Sequence, residues 1–142
     1  MNEVTTKADV QRLEDLILQG QQVDLMTTHA MQGGMYARTV YLKAGTVLTG
    51  ATHKTDHLNV VVGDISVTTD EGMTRLTGHH VIETKAGMKR AGYAHSDTVW
   101  TTICKTDKTD LQDIENELVV ESDKLQTRHP ELMANIPKHL EG

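Results

Sequence analysis

Between Met35 and Cys104 the chain breaks into short runs rich in branched residues: MYARTVYL, TVLTGATH, HLNVVVGDISVTT, TRLTGHHVIET, RAGYAH and TVWTTIC. Runs of that length and spacing predict an all-β sandwich or small barrel. Gly45, Gly63-Asp64, Asp70-Glu71-Gly72 and Ser96-Asp97 fall between them and predict turns, the third as a hairpin loop. Phe is absent and aromatic residues total 3%, so the core has to be built from Val, Ile, Leu, Met and Thr, which suits strands. The same shortage argues against base stacking, and a formal charge of -6 argues against a general grip on phosphate backbones. Nucleic acid is not an expected partner.

At 142 residues the chain is one domain by length. Residues 1–34 are expected to hold an amphipathic helix and a loop, 35–105 the barrel, and 106–142 a helical extension. Val10, Leu13, Leu16, Ile17 and Val23 recur at helical spacing between Ala8 and Leu25, with Asp9 as cap and Gly20 as break. Thr27 to Gly34 reads as a loop with two glycines. In TVWTTI, alternation puts Val99, Thr101 and Ile103 on one face and Trp100, Thr102 and Cys104 on the other. Neither face is strongly polar, so cover on both sides is expected. Thr109-Asp110 reads as a helix cap before the apolar stripe Leu111, Ile114, Leu118 and Leu125; from Thr127, with Pro130 and Pro137, a short helix and a frayed tail are expected. No run is long and apolar enough for a membrane helix, and the N-terminus lacks the layout of a signal peptide, so a cytoplasmic protein is expected. Cys104, the single cysteine, reads as a small buried hydrophobe.

Of the eight histidines, His53, His57, His79, His80 and His95 fall in the β-rich segment. Strand positions four apart share a face, so His53 and His57 are expected to point the same way, as half of a metal site or as part of a hydrogen-bonded polar pocket. His79 and His80 face opposite ways and read as structural.

The stretch from Gly45 through Ala51, His53, Asp56 and His57 to Gly63 resembles the first motif of the cupin superfamily, G-x5-H-x-H-x3-4-E-x6-G. Gly78 through Gly87 to Arg90 resembles the second, G-x5-P-x-G-x2-H-x3-N, with one extra residue after the first glycine. The run from MYART to TVWTTI is also similar to small cupin-like proteins encoded by tailed bacteriophages. The resemblance implies a jelly-roll barrel with flanking helices and a homo-oligomer, at least a dimer. Cupin metals are held by the two histidines and the glutamate of the first motif and the histidine of the second. Here Ala51 stands at the first histidine and His53 at the second. His57 or Asp56 stands at the acidic position, and Arg90 at the second-motif histidine. A guanidinium has no lone pair to offer a metal, so a standard four-ligand cupin site is absent.

Arg90 in a barrel mouth suits a carboxylate or phosphate, and Lys89 adds positive charge beside it; the alternative is that both are solvated or salt-bridged. Tyr93 is a candidate to stack on a ligand ring or to pack. His95, beside Ser96-Asp97, is expected to be exposed; turned inward, it would make a three-histidine site with His53 and His57, and either Asp56 or His95 is the expected third donor to a divalent transition metal. Three functions follow. One is a phage-encoded binding protein holding a small anion, of nucleotide-derived type among others, with Arg90, Lys89, Tyr93, His53 and His57. Another is a metal-dependent cupin enzyme of hydrolase, isomerase or lyase type using His53 and His57, and the third is a structural or virion module. The host cytoplasm is the location that the phage resemblance implies.

Overall fold

The computed structural model describes residues 7–19, 25–120 and 125. Its elements in chain order are α1 (Lys7–Leu18), β1 (Met26–Gln32), β2 (Met35–Leu42), β3 (Val47–Thr49), β4 (His57–Thr69), β5 (Gly72–Thr84), β6 (Ala91–Ala94), β7 (Thr98–Lys105) and α2 (Leu111–Leu118). The strands form one antiparallel sheet in the order β1-β2-β7-β4-β6-β3, and β5 pairs with β4 along the full length of both. The expected all-β architecture is present as a curled half-barrel flanked by two helices.

The curl originates in β4, which serves two partners in turn. Leu58 to Val62 pair with β7, and Ile65 to Val67 pair with β6. Gly63 sits at the changeover with φ +146°, and a Cβ there would stand 2.4 Å from Thr98 Oγ1. Only glycine allows that approach. Thr98 fills the notch: its hydroxyl accepts from the Asp64 amide at 3.1 Å and donates to the Ser96 carbonyl at 2.9 Å. The turn expected at Gly63-Asp64 is therefore a pivot inside a single strand, because this glycine marks a change of partner rather than a reversal of the chain.

A second correction concerns Thr27 to Gly34. This stretch is strand β1, in unbroken register with β2 from Met26↔Tyr41 to Gln32↔Met35. Gly33 and Gly34, at φ +60° and +76°, make the two-residue turn whose twist matches the strands it joins. As an edge strand β1 is exposed along much of its length and needs no strong apolar alternation, so its sequence reads as loop.

A third correction concerns β7. Thr98, Thr102 and Cys104 are buried, whereas Val99, Thr101 and Ile103 are only partly covered and lie beside Leu58 and Val62, which are 42% and 48% exposed. One face of this strand is inside; the other meets solvent.

The core has two parts. Val40, Leu42, Val61, Ile65, Val67 and Ala94 pack inside the curl, and Tyr36, Cys104, Ile114, Leu118 and Val119 pack where α2 closes one end. Asp110 caps α2 as expected, its carboxylate accepting from the Asp113 amide at 3.1 Å. In α1, Val10 is buried, but Leu16, expected on the apolar stripe, is 65% exposed. Val23 and the segment from Thr127 lie outside the described residues. Among the described residues no helix is long and apolar enough to cross a membrane.

Candidate functional site

Strand alternation decides which side chains face the inside of the curl. In β2, Tyr36, Val40 and Leu42 are buried, which puts Arg38 on the same inner face. Register carries that position across the sheet: His29 lies opposite Arg38, Arg38 opposite Thr102, and Thr102 opposite Asn59. Four strands thus supply one polar row on an otherwise aliphatic wall.

Arg38, Thr102 and Asn59 border a cavity of about 290 Å³, at the lower end of small-molecule pockets. Val40, Leu42, Leu48, Ile65, Val67 and Trp100 make its apolar lining. Arg90, Thr84, His53, His57 and Glu115 join the row as its polar lining, and Ile17 of α1 and Leu118 of α2 lie at its edges.

A hydrogen-bonded chain fixes part of this lining. Arg90 Nη2 donates to Thr84 Oγ1 at 3.0 Å, Thr84 Oγ1 donates to Asn59 Oδ1 at 2.6 Å, and Asn59 Nδ2 donates to Thr102 Oγ1 at 2.9 Å. Arg90 Nη1 also donates to the Thr68 carbonyl, while its buried Nε has no hydrogen-bond partner. Burial lowers the pKa of Arg90, and the nearby Asp70 carboxylate partly offsets this. Two of the five donors of Arg90 are thus committed to the barrel wall, one from each terminal nitrogen.

Arg38 differs. It is half-buried at the cavity wall, and no hydrogen bond or ion pair joins its guanidinium to another described residue. Burial lowers its pKa; Tyr36 and Glu115, the latter buried on α2, oppose that shift. A guanidinium nonetheless stays protonated. The Tyr36 hydroxyl is 2.7 Å from His29 Nδ1, and burial pushes its pKa up to about 12. Burial lowers that of His29, helped by Arg38 and opposed by Glu115.

The residues singled out in the sequence divide. His53 and His57 both line the cavity, with ring centroids 4.2 Å apart. They meet through the bend at residues 54–56 rather than along one strand, and His57 Nδ1 donates to the Thr55 carbonyl at 3.0 Å. Lys89 is not solvated: it is buried, 2.6 Å from Glu14 of α1, and donates to the Gly50 carbonyl at 3.1 Å. It ties α1 to the barrel instead of facing the cavity. Tyr93 is 41% exposed and meets the His95 ring edge-on at 4.9 Å. His95 is exposed, with Nε2 2.7 Å from Ser66 Oγ. Asp56 is exposed and accepts from the Ala86 amide at 2.8 Å. Cys104 is buried, which pushes its thiol up to about 11.

Cupin barrels imply a metal, and the donors here do not fit one. Among the described residues no three of His, Cys, Asp and Glu gather as a ligand set. Neither His95 nor Asp56 lines the cavity with His53 and His57. Arg38 and Arg90 line the same cavity and would repel a cation.

Sequence reasoning missed Arg38, Asn59, Thr84, Thr102 and Glu115. The signal for Arg38 was within reach: alternation in MYARTVYL places an arginine among three inward apolar residues. Glu115 had none, because only the docking of α2 brings it to the cavity.

The curled sheet, end-capping helix and lined interior define a small barrel of cupin type. Among solved structures the chain is similar to KdgF from Halomonas sp., at 16% identity and a TM-score of 0.52, covering 64% of this chain and 88% of that one. It is also similar to a cupin superfamily protein from Desulfitobacterium hafniense, at 14% identity and a TM-score of 0.50, covering 62% of this chain and 83% of that one. No protein-family model and no curated protein matches the chain. The likeness is therefore one of fold.

Proposed function

We propose that this protein binds a small organic anion inside the barrel, with Arg38 as its anchor. One observation carries the reading: a half-buried guanidinium lines the cavity and has no hydrogen bond to another described residue. Withdrawing a charge from water without hydrogen bonds is unfavourable, and a bound anion would supply two parallel charge-assisted bonds. The role first expected of Arg90 and Lys89 thus passes to Arg38, with Arg90 holding the wall and Lys89 the helix. The aliphatic lining accommodates an apolar body behind the charged head.

Titration calorimetry with sodium octanoate and with octyl phosphate tests this. At least one should bind the wild type, and Arg38→Met should weaken that binding about tenfold or more, the worth of a charge-assisted pair. Arg38→Lys, which keeps the charge but loses the fork, should fall between. Failure of both probes to bind, or equal binding by Arg38→Met with its thermal transition retained, would contradict the reading.

A further inference from the structure

The outer face of the sheet, on the side away from the cavity, is apolar. The alternation that turns Asn59 and Thr102 inward turns Val60 and Thr101 outward, and register carries the outward positions across five strands, β1, β2, β7, β4 and β5, in three successive rows. Tyr41, Leu58, Val62 and Val81 stand on this face and are between 41% and 60% exposed. The three rows hold no lysine, arginine or aspartate; their one carboxylate, Glu83, is at the margin on β5. A monomer seldom leaves an apolar patch of that extent open to water.

We propose that this face packs against the same face of a second copy of the chain, in a two-fold dimer centred near Val60 and Thr101. Area is the first argument. With strands about 4.8 Å apart and same-face rows about 6.8 Å apart, the patch spans about 24 by 20 Å, so two copies cover about 1,000 Å² before side-chain relief is counted, which is where specific interfaces begin. Polarity is the second. Thr39 Oγ1 and Thr101 Oγ1 lie 2.9 Å apart and bond to each other, so covering them strands neither hydroxyl and asks for no polar group from the partner. The partner must then be as uncharged as this face, and a second copy is. Charge is the third: at a formal charge of -6, two copies repel each other over most of their surfaces, and an uncharged face is where they approach at least cost. The fourth is shape, because sheets of equal twist stack face to face at about 30°, and two copies have the same twist. Leu25 and Leu125, which adjoin segments outside the described residues, both pack on the inner clusters, so the chain does not lead from them onto this face. The dimer leaves the cavity on the opposite side of each sheet untouched.

Analytical ultracentrifugation of the full chain tests this. At about 100 μM the wild type should sediment as a dimer, and its melting temperature should rise with protein concentration, as it does when a partner copy stabilises the fold. Val62→Glu sets a carboxylate into the contact from each copy and should weaken the dimer about tenfold or more, with the concentration dependence of the melting temperature lost. Val81→Glu, at the most exposed of the four positions, should do the same and carries the test alone should Val62→Glu fail to fold. A monomeric wild type would overturn the proposal, whether another protein or a further segment of this chain covers the face. A dimer that either folded variant leaves unchanged would overturn it as well, because the contact would then lie elsewhere.

Discussion

At the scale of residues, the inner face of the sheet tolerates polar groups in two different ways. Asn59, Thr84 and Thr102 satisfy one another, and Arg90 leans on that network; Arg38 has no such support. His29 sits at the margin of this arrangement, opposite Arg38 and bonded to Tyr36. Its folded-state pKa is lowered from the usual 6.5, chiefly by burial and then by the Arg38 charge. A histidine depressed on folding binds fewer protons folded than unfolded, so its contribution is fully present above about pH 6.5 and is lost as the pH falls through the folded value. On acidification from about pH 7 to about pH 5, the wild type should therefore lose more thermal stability than His29→Gln. Parallel melting-temperature profiles would show that His29 is not coupled to folding in this way.

At the scale of elements, the shape of the cavity depends on β4 changing partners at Gly63. A Cβ there would meet the Thr98 Cα at 2.7 Å, and the φ of +146° is itself strained for any other residue. Gly63→Ala should cost roughly 3 kcal/mol or more in urea denaturation. Gly78, its cross-strand neighbour at φ +82°, has nothing within 4 Å of a built Cβ, so Gly78→Ala should cost only about 1 kcal/mol of backbone strain. Equal losses would mean that the Gly63–Thr98 approach does not set the bend. Much of the element structure was legible in the sequence: HLNVVVGDISVTT is β4 to the residue, and Asp110 caps α2 as its position suggests. Two elements were hidden for physical reasons. The edge strand β1 is half in water and carries no strong pattern, and the Gly63 pivot uses the residue that elsewhere marks a turn.

At the scale of the whole molecule, the site exists because distant segments converge. The bend at residues 54–56 brings His53 and His57 together, β2 contributes Arg38, and α2 places Glu115 behind it. The sequence pattern led to the two histidines and to Arg90, all of which line the cavity; Arg38, which lies outside both motifs, drew no attention. Contacts across the barrel distinguish the two arginines, since Arg90 is bonded to Thr68 and Thr84 and Arg38 to no described residue, and local spacing does not encode them. The central claim, that the half-buried Arg38 guanidinium anchors a small organic anion, is tested most directly by a crystal structure of the protein soaked with 8-bromooctanoate. The account predicts a carboxylate bridging the two terminal nitrogens of Arg38, with the anomalous bromine peak among Leu48, Val67 and Trp100. A barrel interior filled by the protein's own side chains, with Arg38 bonded to one of its own carboxylates, would contradict it.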